Sequence, residues 1–200
     1  MTPARVLIAE DESLLRLDLK ESLEELGYDV VGEACDGLEA ITYAKELLPD
    51  VCLLDIKMPN VDGLEATKEI ISNNLSAVVV VTAFSQRDLI DQACEAGALS
   101  YLVKPYQQKE LVPAIELAMF RFREHVLLSE QVESLSEQLE SRKVVDRAKG
   151  QLMDNFALTE HSAFRFIQTS AMSNRETMTA TAESIIEGKL IPSEVTTIKQ

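Results

Sequence analysis

The chain has 200 residues, a formal net charge of −15, 46% hydrophobic residues and three cysteines. That apolar share suits a globular core. No apolar stretch approaches the roughly 20 residues of a membrane helix, and the N-terminus lacks the basic-then-apolar form of a secretory signal, so a cytoplasmic protein is expected. The charge is unevenly placed: residues 1–140 hold 11 Lys/Arg against 27 Asp/Glu, whereas residues 141–200 hold 8 against 7. The first part repels nucleic acid and the second does not, which argues for two domains with different partners.

In chain order, short β-branched or apolar runs predict strands at 5–9, 29–33, 51–54, 77–81 and 99–103. Helical patterns fall between and after them, at about 13–26, 37–48, 64–72, 86–96 and 107–120. Asp36 with Glu39, and Ser85 with Asp88, have capping-box spacing, and Gly27, Gly63 and Gly97 sit at turns. Five βα repeats in this length predict an α/β doubly wound, five-stranded parallel sheet with helices on both faces. Cys35, Cys52 and Cys94 lack metal-ligand spacing, and Cys52, inside a strand, reads as a small buried hydrophobe.

Beyond Pro113 the strand signals stop, and residues 114–155 read as one long or twice-broken helix. Leu128, Val132, Leu135 and Leu139 are spaced as a heptad seam, which reads either as a coiled coil between two copies or as a helix leaning on a neighbour in the same chain. Gly150 lies inside the helical pattern at a cost of about 1 kcal/mol, pointing to close approach of another helix or of a ligand. A helix at 159–171 is expected to carry Ala163, Phe164, Ile167 and Ala171 on one face, with Thr159 as N-cap. Another, at 174–187, is expected to open on Ser173 and Glu176 and to end at Gly188. These pieces predict a small all-α bundle joined to the sheet domain by a long helix: residues 1–120 the sheet domain, 121–140 a helical linker, 141–190 the bundle and 191–200 a loose tail.

The chemistry gathers at the strand ends. The first strand runs into Glu10 and Asp11, the third ends at Asp55, the fourth at Thr82 and the fifth at Lys104-Pro105. A crevice at the carboxyl ends of the strands is where open α/β folds place their ligands. Carboxylates converging on one point repel one another, and a divalent cation such as Mg²⁺ relieves that. One carboxylate oxygen can then attack phosphorus, with Lys104 and Thr82 supplying a positive charge and a hydroxyl donor.

Ile8-Ala9-Glu10-Asp11, Leu54-Asp55-Ile56-Lys57-Met58-Pro59, Val81-Thr82-Ala83 and Val103-Lys104-Pro105 resemble the receiver domain of two-component response regulators, over residues 4–120. The resemblance implies that Asp55 accepts a phosphoryl group from a sensor histidine kinase. It implies that Glu10, Asp11, Asp55 and the backbone carbonyl of Lys57 hold Mg²⁺, Glu10 mainly through water. It implies that Thr82, Ala83, Tyr101, Lys104 and Pro105 form the phosphoryl-binding and switch elements, with Lys104-Pro105 in cis and Tyr101 swinging inward. Tyr101 also reads as an ordinary strand aromatic, and Phe84 as a shield of the phosphoryl group against water. Glu10 stands where the family more commonly has aspartate.

The segment Arg142 to Met153, with Ala163-Phe164, Ala171-Met172 and Ala182-Glu183-Ser184-Ile185-Ile186, resembles the ANTAR domain, a three-helix output module of antitermination regulators. This implies binding to tandem stem-loops in mRNA leaders, with regulation by transcription antitermination or translation. Arg142, Lys143, Arg147, Lys149 and Arg165 are the candidate RNA contacts. A homodimer through 128–152 would double the RNA sites. His125 and His161 read as surface histidines. Two other readings compete. A duplex-DNA regulator needs a basic recognition helix, but residues 174–187 offer Arg175 as their one basic residue. A phosphorylation-gated protein-interaction module would act through the seam. A metabolic enzyme is not expected, since no second substrate pocket is evident and the receiver catalyses only its own phosphoryl transfer.

Overall fold

The computed structural model describes residues 2–83 and 87–192, with the side chains of all of these except 87–90. In chain order they form β1 (Arg5–Ala9), α1 (Ser13–Glu25), β2 (Asp29–Ala34), α2 (Gly37–Leu47), β3 (Val51–Asp55), α3 (Gly63–Ser72), β4 (Ala77–Thr82), α4 (Arg87–Glu95) and β5 (Ser100–Val103). Three helices follow: α5 (Gln108–Phe156), α6 (Glu160–Asn174) and α7 (Met178–Ile186). The chain divides into two compact units, Met1–Leu128 and Ser129–Gln200. Phe84, the Ser85–Asp88 cap and the tail from residue 193 lie outside what is described.

The first unit is the expected five-stranded parallel sheet, in the order β2-β1-β3-β4-β5. Alternation along each strand sends Val6, Ile8, Val51, Leu53, Val79 and Val81 to one face, where Leu111, Ala114, Ile115 and Ala118 of α5 join them. Leu7, Ala9, Cys52, Leu54, Val78 and Val80 go to the other face, against α2 and α3. Both faces being covered explains why the central strands read as unbroken apolar runs. Cys52 is fully buried, and burial pushes its thiol pKa up to about 12.

Local chemistry starts α2 as expected and α3 by a cap not foreseen in the sequence. The Asp36 carboxylate accepts from Glu39 N–H at 2.8 Å, the Asp62 carboxylate from Glu65 N–H at 2.8 Å, and each caps its helix. The order β2-β1-β3 puts the topological switch point between β1 and β3, so Glu10, Asp11 and Asp55 meet at one crevice.

The second unit is helical. The part of α5 it contains belongs to one unbroken helix that begins at Gln108, with Pro113 inside it, the first of the two expected forms; no glycine or further proline interrupts residues 114–149. Three details differ from expectation. Ser173 is not a cap: α6 runs on to Asn174 and stops because Arg175 adopts a left-handed φ of 58°, its N–H capping Ala171 and Met172 carbonyls. The cap of α7 is Thr177, whose hydroxyl accepts from Ala180 N–H at 3.1 Å. Ala163, Ile167 and Ala171 are buried with Ala148, Leu152, Ala182 and Ile185, but Phe164 is 40% exposed and lies outside that core. Finally, a Cβ on Gly150 would meet nothing within 4 Å, so crowding by another helix is not why glycine stands there.

Candidate functional site

Glu10 and Asp11 follow β1, Asp55 closes β3, Thr82 closes β4 and Lys104 follows β5. One carboxylate oxygen from each of Glu10, Asp11 and Asp55 lies within 4.8 Å of the others. Glu10 is 2% exposed, the Asp55 side chain is largely buried, and Asp11 is exposed. Lys104 Nζ reaches into the group, donating to Glu10 Oε2 at 2.5 Å and lying 3.4 Å from Asp55 Oδ2. The other Asp55 oxygen accepts from Ile56 N–H at 2.9 Å. Burial pushes the Glu10 and Asp55 carboxyls above their usual range, against the pull of Lys104 in both. Tyr106, partly buried, has its phenol pKa pushed up to about 12, first by desolvation and then by the negative charges of Asp18, Glu10 and Asp55.

The surrounding backbone holds these groups in place. Arg16 Nη1 donates to the Glu10 carbonyl at 2.5 Å. Lys104 N–H donates to the Thr82 carbonyl at 2.7 Å, tying the ends of β4 and β5 together. Thr82 is buried, Ala83 exposed, Tyr101 47% exposed, and the Lys104-Pro105 bond is cis. Gly63 N–H donates to the Ile56 carbonyl at 2.9 Å, and a Cβ on Gly63 would collide with the Asp55 carbonyl. Sequence reading placed Gly63 only at a turn; its role in seating the loop after Asp55 depends on a contact between β3 and the start of α3.

The residues present fit a divalent cation. Three carboxylates offer hard oxygen ligands, and Glu10 Oε1 is buried with no hydrogen-bond partner, a costly state for a carboxylate oxygen. An acid at a strand end, a lysine beside it and a hydroxyl one strand away are the groups that phosphoryl transfer would use.

In the second unit the candidate basic residues are dispersed. Arg142 and Arg165 are exposed. Lys143 pairs with Glu140 at 2.7 Å. Lys149 pairs with Asp146 at 2.7 Å and with Glu160 at 3.0 Å, which raises its pKa. Lys143 and Arg147 line a groove of about 560 Å³ with Glu183, Ile186 and Glu187 of the α7 region, an acidic neighbourhood for a nucleic-acid contact. Leu128, Val132, Leu135 and Leu139 are each more than half exposed, so among the described residues no helix of the same chain covers the seam. No helix among the described residues is long and apolar enough to cross a membrane.

Comparison with known proteins agrees with both halves. Residues 6–116 match the response regulator receiver domain and residues 133–186 match the ANTAR domain. The chain is 53% identical over 185 residues to the transcriptional regulatory protein PdtaR of Mycobacterium tuberculosis, covering 92% of this chain and 90% of that one. It is 40% identical over 112 residues to the chemotaxis protein CheY of Thermotoga maritima, covering 56% of this chain and 93% of CheY. Among solved structures, the receiver domain of the response regulator NarL from M. tuberculosis superposes with a TM-score of 0.56 at 33% identity, over 57% of this chain and 94% of that one. The receiver domain of the sensor histidine kinase PA1611 from Pseudomonas aeruginosa, which has a magnesium ion coordinated in its active site cleft, does so with a TM-score of 0.54 at 26% identity, over 58% of this chain and 98% of that one. The chain belongs to the response regulators that join a receiver domain to an ANTAR output domain.

Proposed function

We propose that this protein is a phosphorylation-dependent regulator in which Asp55 takes a phosphoryl group from a sensor histidine kinase and the ANTAR domain binds structured mRNA leaders. The observation that carries the first half is the convergence of Glu10, Asp11, Asp55 and Lys104 at the carboxyl ends of three strands. The second half rests on the ANTAR match at residues 133–186. The working domains are residues 1–120 as receiver, 121–140 as helical linker, 141–190 as RNA-binding domain and 191–200 as tail. The site of action is the cytoplasm.

A divalent cation, Mg²⁺ in this reading, supplies positive charge to the phosphoryl oxygens when bound. Asp11, Asp55 and the Lys57 carbonyl would hold it directly and Glu10 mainly through water. An Asp55 oxygen attacks phosphorus, the O–P bond forms, and the N–P bond to the kinase histidine breaks. Lys104 places its ammonium against a phosphoryl oxygen, Thr82 donates its hydroxyl to another, and Tyr101, half-exposed before the reaction, turns toward the space Thr82 vacates. Ala83 and Pro105 line the pocket. The new group brings about −1.5 to −2 of charge, which the sheet edge at β4 and β5 reads out. The receiver thereby catalyses its own phosphorylation and dephosphorylation.

On the output side, Arg142 and Arg165 are exposed candidate cations for RNA, Arg147 lines a groove beside Glu183 and Glu187, and Lys143 and Lys149 are engaged by acidic partners that an RNA phosphate would displace. The exposed seam of α5 pairs with the seam of a second copy, presenting two output domains to two stem-loops. The test is binding of a tandem stem-loop RNA with and without a small phosphodonor and Mg²⁺, across a salt series. Phosphorylation-enhanced, salt-sensitive retention is expected. Absence of binding by verified phosphoprotein would move the output to protein or DNA partners.

A further inference from the structure

The basic residues of α5 stand among acids. Lys143 pairs with Glu140, and Lys149 with both Asp146 and Glu160, while Arg147 shares its groove with Glu183 and Glu187. The outer side of α6 is built differently. From His161 to Arg175 the sequence holds two arginines and no Asp or Glu, in a chain of net charge −15. Ala163, Ile167 and Ala171 are the buried side of the helix. His161, Arg165, Gln168 and Met172 recur at spacings of four, three and four, so they share another face, and all are exposed. Phe164 flanks that face at 40% exposure, and Met172 on it is 76% exposed. Arg175, also exposed, closes the face as the C-cap. Among the described residues neither arginine has an ion-pair partner.

A single exposed apolar side chain would be ordinary. An aromatic ring, an amide and a thioether set between two arginines, with no acid among them, suit a narrower class of ligand. Unstacked bases of an RNA loop lie flat on an aromatic ring, their edges pair with amides, and arginines take the neighbouring phosphates. Arg165 and Arg175 are about 15 Å apart along the helix direction, so they bracket a stretch of chain rather than share one phosphate. A second copy of the same face would bring arginine against arginine, which opposes homotypic pairing here. We infer that the outer face of α6 reads the unpaired bases of a structured RNA, with Phe164 as the stacking platform, Gln168 on a base edge, and Arg165 and Arg175 on the flanking phosphates; this rests on the ANTAR reading above. The cations of α5 then add attraction for the stem without discriminating between loops. Stacking is independent of salt and phosphate contact is not, so the two contributions separate on measurement.

The test uses the full chain with a small phosphodonor and Mg²⁺. The probe is a pool of RNA hairpins with one fixed stem and a randomised loop; a retained hairpin is then titrated beside a blunt duplex of the same stem, across a salt series. Wild type should prefer the hairpin. Phe164→Leu keeps apolar bulk and removes the aromatic face, and it should lose about tenfold in hairpin affinity with salt slope and duplex binding unchanged. Arg165→Gln and Arg175→Gln should each reduce the salt slope by about one, and Lys143→Gln should leave the hairpin preference intact. In the unmutated protein the ring-proton signals of Phe164 should move upfield with the hairpin and not with the duplex. Hairpin binding unchanged in Phe164→Leu, ring signals indifferent to a bound hairpin, or a preference lost only in Lys143→Gln would overturn the assignment to α6 and leave RNA binding in place. A dimer fraction lowered by the α6 substitutions in sedimentation would make the face a protein interface and overturn it too. No hairpin retained by verified phosphoprotein would overturn both. The ring signals need no variant, so they decide the matter even if a substitution disturbs folding.

Discussion

Gly63→Ala sets two effects of opposite sign against each other at the loop that seats Asp55. Gly63 is the first residue of α3, and its φ is not in the left-handed region, so alanine is conformationally acceptable. Helix propensity alone would favour alanine by up to about 1 kcal/mol. Against this, the new methyl would collide with the Asp55 carbonyl oxygen and stand 2.8 Å from the Asp55 carbonyl carbon and 3.0 Å from Ile56 Cα. These are backbone atoms, Asp55 paired with Val81 of β4 and Ile56 N–H donating to the Val81 carbonyl, so no rotamer change relieves the contact. Overpacking of this kind costs about 1–3 kcal/mol, occasionally more, and the Gly63 N–H to Ile56 carbonyl hydrogen bond is strained with it. The net expectation is a loss of about 2 kcal/mol for the receiver unit, or about 5–10 °C in its midpoint. Phosphorylation of Asp55 should slow by more than the unfolded fraction explains. Thermal unfolding followed by receiver amide signals, with phosphoprotein gel mobility after a small phosphodonor, measures both. A variant within 0.5 kcal/mol of wild type that phosphorylates at the normal rate would refute the claim that this backbone contact positions Asp55.

Other expectations follow from the same structure. Gly150→Ala should stabilise the helical unit by about 1 kcal/mol, since the new methyl meets nothing; a destabilised variant in thermal denaturation would contradict this. Ile167→Ala, in the fully buried core, should cost about 2–5 kcal/mol, whereas Phe164→Ala at a half-exposed site should cost much less; equal losses by calorimetry would put Phe164 in the core after all. Leu135→Asp should leave monomer stability within about 0.5 kcal/mol while lowering any dimer fraction in analytical ultracentrifugation. Asp36 has its pKa held below 3.8 by the Glu39 N–H and Asn60, so its stabilising effect is complete above that value and is lost as pH falls through the lower folded pKa. Asp36→Ala should therefore cost stability at pH 7 and converge with wild type in strong acid; a pH-independent difference would refute the linkage.

The sheet was legible because its information is local. Val6 to Ala9, Val51 to Leu54 and Val78 to Val81 are too short and too β-branched for anything but buried strands, and the acids that follow them could only lie at strand ends. Three features were not legible, each for a physical reason. Arg175 ends α6 in a left-handed conformation that glycine usually marks, so Ser173 looked like the better boundary. Phe164 fits the apolar periodicity of α6, yet its neighbours Ala163 and Ile167 take the core positions and leave it half outside. The cost of a Cβ at Gly63 arises from β3, eight residues back in the chain, and no local pattern announces it.

The burial of Cys52 gives this protein an internal clock. The Cys52 thiol is fully buried and its pKa is pushed up by that burial, so the closed sheet shields it from thiol reagents. Cys35 and Cys94 are exposed and should react with thiol reagents at once. Slow labelling of Cys52 then counts the occasions on which β3 leaves the sheet. Asp55 lies three residues further along that strand. The labelling rate therefore measures how often the strand that bears Asp55 opens, and a ligand that knits the strand ends together should slow it in proportion to the stability it adds.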